Sequence, residues 1–180
     1  MPTVSNVSAG KPKLTGAVYR ADAGTTLPTD ATTALAAAFK ELGFVSEDGV
    51  TNNNTPESDN IKAWGGQTVL VVQNEKNDEF TFTLIEALNV EVLKTVYGPT
   101  NVTETNGAIT IEATADPIPN AVYVIDVVMT GGKAKRIVIP DGAISEIGEI
   151  VYKDDEPIGY ELTVNALPDA SGVNHYEYIA

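Results

Sequence analysis

The side chains that suit acid–base chemistry are one histidine and many carboxylates. His175 is the only histidine, and it lies in residues 168–180, which we expect to form a C-terminal arm. A catalytic base has to be held on a rigid frame against its nucleophile, and a terminal arm is a poor frame. We therefore interpret His175 as a surface or interface side chain.

The carboxylates show no spacing that singles out a metal or hydrolase site. Asp154, Asp155 and Glu156 precede Pro157, a composition expected of a turn between strands. Residues 48–59 have the length of a calcium-binding loop, but the third position is valine and the sixth is not glycine, so this site is excluded. No pair of acids has a spacing that indicates a glycosidase.

The sequence also contains no motif that indicates a bound cofactor. The chain has no cysteine, which removes disulfides, thiolate catalysis and Cys-based metal sites. Its glycines form neither a phosphate-binding loop nor a dinucleotide-binding motif. We expect no cofactor, no metal and no enzymatic activity.

The charge disfavours a nucleic-acid-binding or membrane-binding role. Twenty-five acids stand against 11 basic residues, a formal charge of −14. Binding to a phosphate backbone requires cations that neutralise it, and an acidic surface repels anionic lipids for the same reason. The sequence contains no apolar run long enough to span a bilayer, and its polar N-terminus is unlike a secretory signal.

Most of the chain has the patterns of β-strands. Residues 79–84 alternate apolar and polar side chains, as a strand with one buried face does. Residues 68–73 are rich in β-branched residues, and we expect the two segments to pair across a turn at 74–78.

Further hairpins are marked by their turns. Asn106-Gly107 and Gly131-Gly132 each favour a tight connection between two strands. Residues 122–128 are almost wholly apolar, which predicts a central strand covered on both faces. The strands beside these turns, and a last pair, are expected at 101–105, 108–113, 121–129, 134–139, 147–153 and 159–166.

Two helices are expected. Residues 86–97 have apolar side chains at a spacing of four and end at Gly98-Pro99, so they should lay one face on the sheet. Residues 31–42 are rich in alanine between a possible Asp30 cap and Gly43, which predicts a second, short helix.

Three segments lack such periodicity. We expect an N-terminal arm at residues 1–15, a long polar loop at 46–61 and a C-terminal arm at 168–180, around a domain of residues 16–167. Trp64 follows the loop, where it is either a core anchor or a contact with another molecule. The fold class is mainly β: two packed antiparallel sheets, as a sandwich or barrel, with one flanking helix and a short second one.

The order of motifs resembles the major tail tube proteins of long-tailed phages (siphophages) of actinobacteria and other Gram-positive hosts. The resemblance extends over residues 16–179. It rests on VSEDGVT (45–51), IKAWGG (61–66), EFTFTLIE (79–86), NVEVLK (89–94), VYG (96–98), YKDDE (152–156), GYE (159–161) and PDA (168–170).

This resemblance implies a structural virion protein with the fold shared by contractile-tail and type VI secretion tubes. The subunits would form hexameric rings that stack head to tail around a channel for DNA, which passes without specific binding. The resemblance also implies contacts with the tape measure protein, the tail terminator and distal tail proteins, and a host-cytoplasmic stage before assembly. An acid-lined channel would let DNA slide, because like charges repel.

The long loop and the two arms would supply the contacts between rings. Their expected interface residues are Trp64, Glu47, Asp48, Glu57, Asp59, Tyr176, Tyr178 and Ile179. Two alternatives of other classes are a surface or secreted β-sandwich that binds a ligand, and a hydrolase with an unrecognised carboxylate pair.

Overall fold

The computed structural model describes residues 1–13 and 16–180. The last two residues of the expected N-terminal arm lie outside them. The described strands are β1 (Gly10–Pro12), β2 (Val18–Asp22), β3 (Lys40–Glu41), β4 (Val45–Lys62), β5 (Thr68–Leu84), β6 (Val102–Thr105), β7 (Ala108–Ile111), β8 (Ala121–Met129), β9 (Ala134–Ile147), β10 (Tyr160–Leu167) and β11 (Tyr176–Ile179). One α-helix, α1 (Val90–Tyr97), and two 3-10 turns, Val4–Asn6 and Thr130–Gly132, complete the described elements.

The strands form one large and one small antiparallel sheet. Within the described chain the large sheet has nine strands in the order β3-β2-β8-β9-β10-β5-β4, with β1 beside β8 and β11 beside β9. The small sheet is the β6–β7 hairpin. The mainly β, antiparallel prediction is confirmed, and the barrel alternative is not, because the order of strands has two ends and does not close.

Strand β8 lies at the centre of the core, as its apolar sequence predicts. Tyr123 and Ile125 are buried in the larger hydrophobic cluster, where α1 also packs. Val122 and Val124 are buried on the opposite side in a smaller cluster. Both faces of this strand are therefore covered.

The helix is shorter than expected because its cap lies inside the predicted range. The Asn89 side chain accepts a hydrogen bond from the Glu91 backbone N–H at 3.0 Å, which starts the helix at Val90 instead of residue 86. The carboxylate of Glu86 is used elsewhere, accepting from the Phe44 N–H at 3.0 Å. Gly98, with φ of 100°, ends the helix as predicted.

The predicted second helix at residues 31–42 does not form. Arg136 donates to the backbone carbonyls of Asp30 and Thr33 at 3.0 and 2.8 Å, and a helix needs such carbonyls for its own ladder. Phe39 and Leu42, which a helix would place on one face, enter different hydrophobic clusters. Asp30 does cap the local turn, accepting from the Thr32 and Thr33 N–H groups.

One predicted turn is confirmed, whereas two predicted strand boundaries differ from the structure. The hairpin turn at Asn106-Gly107 is confirmed, with φ of 53° and 82° at its two residues. Of the strand predicted at 147–153, only Ile147 lies in a strand, as the last residue of β9, where it pairs with Leu162 of β10. The strands predicted at 68–73 and 79–84 are one continuous strand, β5, so the turn expected at 74–78 is absent.

A buried ion pair joins the two central strands. Asp126 and Arg136 face each other across β8 and β9, and the guanidinium donates to both carboxylate oxygens at 2.7 and 2.9 Å. These hydrogen bonds raise the pKa of Arg136, so its guanidinium stays charged. Lys13 also reaches the Asp126 carboxylate at 3.3 Å.

Replacing Arg136 with methionine is expected to destabilise the fold by about 3–5 kcal/mol, because Asp126 would remain buried without its main partner. The measurement is urea unfolding followed by circular dichroism at concentrations that keep the chain monomeric. The control is Lys153→Ala, which removes an exposed pair with Glu156 and should change stability by no more than about 0.5 kcal/mol. A similar, small cost for both variants would contradict the prediction.

Candidate functional site

A long hairpin projects from one end of the large sheet. Strands β4 and β5 pair from Val45 opposite Leu84 to Lys62 opposite Thr68. Strand β10 supports β5 only from Glu79 to Leu84. Every residue from 51 to 76 is exposed, and we name this part the ribbon. The segment 46–61 is thus not a loop, and its polar composition reflects exposure on a paired strand.

Both faces of the ribbon carry apolar side chains. Directly opposed residues share a face, so Ile61 and Leu70 lie on one face. Asn74 on β5 has no partner on β4, so the register shifts between Glu57 and Ser58. Such a bulge interrupts the strict alternation of side chains along β5. Val71, opposite Asn60, lies on the other face. These side chains are about half exposed or more.

A two-stranded hairpin standing alone is marginally stable in water. Exposed apolar side chains on both of its faces are typical of a surface that contacts other molecules. The expected interface residues Glu57 and Asp59 lie two apart on β4 and so share one of these faces. Asp59 accepts from the Asn74 side-chain amide at 2.6 Å.

Trp64 occupies the tip of the ribbon. Its relative exposure is 107%, so the core-anchor interpretation is wrong. The turn is tight: the Ala63 N–H donates to the Gln67 carbonyl at 2.8 Å, and the Gly66 N–H to the Ala63 carbonyl at 2.9 Å. Covering roughly 200 Å² of an aromatic side chain contributes about 5 kcal/mol, which makes the tip a strong candidate for a contact.

The other end of the ribbon borders a cleft. Residues 46–49 bulge out between Val45 and Val50 and present the exposed carboxylates of Glu47 and Asp48. A cleft of about 560 Å³ lies beside this bulge, between the start of β4 and strands β1 and β8. We name it the base cleft. Its apolar lining includes Val45, Val50, Ile125 and Val127.

The C-terminal residues lie on the protein's own sheet. Strand β11 pairs with β9, with Tyr176 opposite Val138. The rings of Tyr176 and Tyr178 stack at 6.3 Å and pack against the smaller hydrophobic cluster. Ile179 stays 56% exposed. Of the three expected interface residues in this segment, Ile179 presents the most apolar surface to a neighbour.

A contact that sequence reasoning missed joins this segment to the root of the ribbon. His175 Nδ1 is hydrogen-bonded to the buried carboxylate of Asp78, and its ring lies edge-on to Phe80 at 5.2 Å. The second Asp78 oxygen accepts from the Asn52 side chain at 2.9 Å. His175 is therefore a structural partner of the ribbon, and no sequence pattern relates positions 78 and 175.

A turn held by Asp169 precedes β11. Its carboxylate accepts from the Tyr176 hydroxyl at 2.7 Å and from the Ser171 and Val173 N–H groups. The hydrogen bond from Tyr176 contributes most to lowering the pKa of Asp169, and the same bond raises the pKa of Tyr176.

The expected interface residues therefore fall into three places. Glu57, Asp59 and Trp64 lie along the ribbon, whereas Glu47 and Asp48 lie at its root. The β11 residues lie on another part of the sheet. No group of three or more His, Cys, Asp or Glu side chains suited to a metal ion occurs among residues 1–13 and 16–180.

A family model described as phage tail tube protein matches residues 8–180. The chain belongs to the phage tail tube protein family. It is a structural, non-enzymatic component of the virion, and it assembles into the tail tube with other tail proteins. A search of curated proteins finds no match. None of the helices in the described part of this tail tube protein is long and apolar enough to cross a membrane.

The fluorescence of Trp64 should report assembly. As the only tryptophan, it is expected to emit at the long wavelengths of water-exposed indole in the unassembled chain and at shorter wavelengths in tubes, because assembly buries it. Emission spectra across a concentration series, with the Trp64→Phe variant as the blank, measure this. Long-wavelength emission retained in complete tubes would show that the tip remains in water.

Acidification should loosen the turn that Asp169 holds before β11. Because the folded-state pKa of Asp169 is lowered, its contribution to stability is complete above the unfolded pKa of about 3.9 and is lost as pH falls through the folded value. Amide NMR shifts of Ser171 and Val173, whose N–H groups donate to Asp169, should therefore change below about pH 4. Asp169→Asn should abolish this pH dependence, and an unchanged profile in that variant would contradict the assignment.

Proposed function

We propose that this tail tube protein forms hexameric rings that stack head to tail into the tube of a long-tailed phage, a siphophage, and that this tube conducts DNA. The ribbon is the observation that carries the proposal, since it exposes apolar side chains on both faces and nothing in the described part of the chain covers them. Contacts with neighbouring subunits supply that cover.

The open ends of the large sheet support ring formation. Strand β4 forms one end, and β3 with β2 forms the other. Open edges offer unpaired backbone groups to another chain, so β4 of one subunit can pair with the opposite edge of the next. Such pairing around six subunits would close a barrel that the single chain leaves open.

The terminal segments would add contacts between rings. Residues 1–15 and 168–180 each place one short strand on the protein's own sheet, at β1 and β11. Met1, Val4 and Val7 remain exposed beyond β1, which suits a segment that docks on a neighbour. At its two ends the tube would meet the tape measure protein, the tail terminator and distal tail proteins.

The formal charge of −14 supports a conduit that DNA does not adhere to. A channel wall rich in unneutralised acids repels phosphates and so provides no counterion release on contact. The proposal requires acids to face the channel, and a neutral or basic channel in the assembled tube would contradict it.

Removing the ribbon should abolish polymerisation and leave the domain folded. Replacing residues 55–77 with Asn-Gly joins Asn54 to Asp78, which lie opposite each other, through a turn suited to a hairpin. Circular dichroism should show retained β-structure, and negative-stain electron microscopy should show tubes or six-fold rings for the full chain only.

Two outcomes would overturn the proposal. The first is a full-length chain that stays monomeric at every concentration, even with a tail initiator complex present. The second is a shortened chain that forms the same tubes as the full-length protein, which would remove the ribbon from the assembly contacts.

A further inference from the structure

We propose that Trp64, at the ribbon tip of one subunit, inserts into the base cleft of a second copy of this chain. The inference rests on the proposed function and deepens it, since it names the surface that receives the ribbon. Neither the family match nor the strand order assigns a role to this cleft.

The base cleft is a place where the larger hydrophobic core reaches the surface. Ile125 is buried in that core, whereas Val45, Val50 and Val127 are only partly buried against it. A volume of about 560 Å³ lies within the range of clefts that hold drug-sized molecules and exceeds the size of an indole. An apolar occupant would cover side chains that the chain itself leaves only partly buried.

The charges on the two surfaces are complementary. Glu47 and Asp48 border the cleft on one side and Lys11 on the other, which leaves one net negative charge. The ribbon tip carries one charged side chain, Lys62, two residues before Trp64. Opposite charges at the rim of a contact favour encounter and set its orientation.

The geometry requires two copies. Strand β4 runs from the cleft at Val50 to Lys62 near the tip, a span of about 40 Å at 3.3 Å per residue. A subunit therefore cannot place its own tip in its own base cleft. A tip-to-base contact that runs head to tail between copies is heterologous. Where its rotation does not close into a ring, repeating it generates a filament, with a step of about 40 Å or less along the ribbon.

Cysteine crosslinking tests the contact on a background that contains no cysteine. Ala63→Cys places a thiol beside Trp64, and Asp48→Cys places one at the cleft rim. Tubes of the double variant, treated with a short bismaleimide, should yield a ladder of linked chains on a denaturing gel. Each single variant, and the pair Ala63→Cys with Thr105→Cys on the small sheet, should yield no such ladder.

A charge exchange provides a second measurement that leaves Trp64 in place. Lys62→Glu should raise the critical concentration for tube formation about tenfold, and adding Asp48→Lys should restore most of it. Lys76→Glu, which makes the same charge change near the ribbon root, should have little effect. Trp64→Ala should raise the critical concentration at least about tenfold, as expected of an aromatic hot spot.

The outcomes separate the two proposals. Tubes that form without the Ala63–Asp48 ladder, or without rescue by Asp48→Lys, overturn the tip-to-cleft contact and leave the tube function standing. If the cysteine variants do not assemble, the charge exchange decides. A wild-type chain that never forms tubes overturns both.

Discussion

The ion pair of Asp126 and Arg136 connects parts of the chain that are far apart in sequence. They link the two central strands, which lie side by side in the sheet, and the same guanidinium donates to the carbonyls of Asp30 and Thr33. Lys13 approaches the carboxylate from the N-terminal segment. A single buried cluster thus anchors the connection between β2 and β3 and the start of the chain to the sheet. Because the charges satisfy each other with good geometry, the desolvation that burial imposes is offset.

The anchored sheet sets the direction in which the ribbon projects, but it does not bury the side chains of the ribbon. Its root is held by β10, by the buried Asp78 and by His175, whereas residues 51–76 are all exposed. The molecule therefore combines a domain that buries its own apolar side chains with an extension whose apolar side chains stay exposed. This division suits a protein that assembles into a tail tube, since neighbouring subunits can cover the extension.

Residue patterns predicted the elements whose environment is local. The apolar run in β8, the Asn106-Gly107 turn and the stop of α1 at Gly98 were all correct because each depends on neighbours in sequence. The helix at 31–42 was wrong because Arg136, about a hundred residues away, takes the carbonyls of that segment. The polar segment 46–61 was interpreted as a loop because polarity indicates exposure, and an exposed strand has the same composition. The contact of His175 with Asp78 has no sequence signal, since it exists only after β11 docks on β9.

The pairing of β5 with β10 also determines how the subunit bears load. A force on the ribbon tip acts along the axis shared by β5 and β10. The hydrogen bonds from Glu79 to Leu84 are therefore strained together in shear instead of being opened one at a time. Shear distributes force over the whole ladder, which makes the root of the ribbon the mechanically stiff end and the isolated tip the compliant one. A filament built from such subunits would stretch first at its ribbons and preserve its sheets.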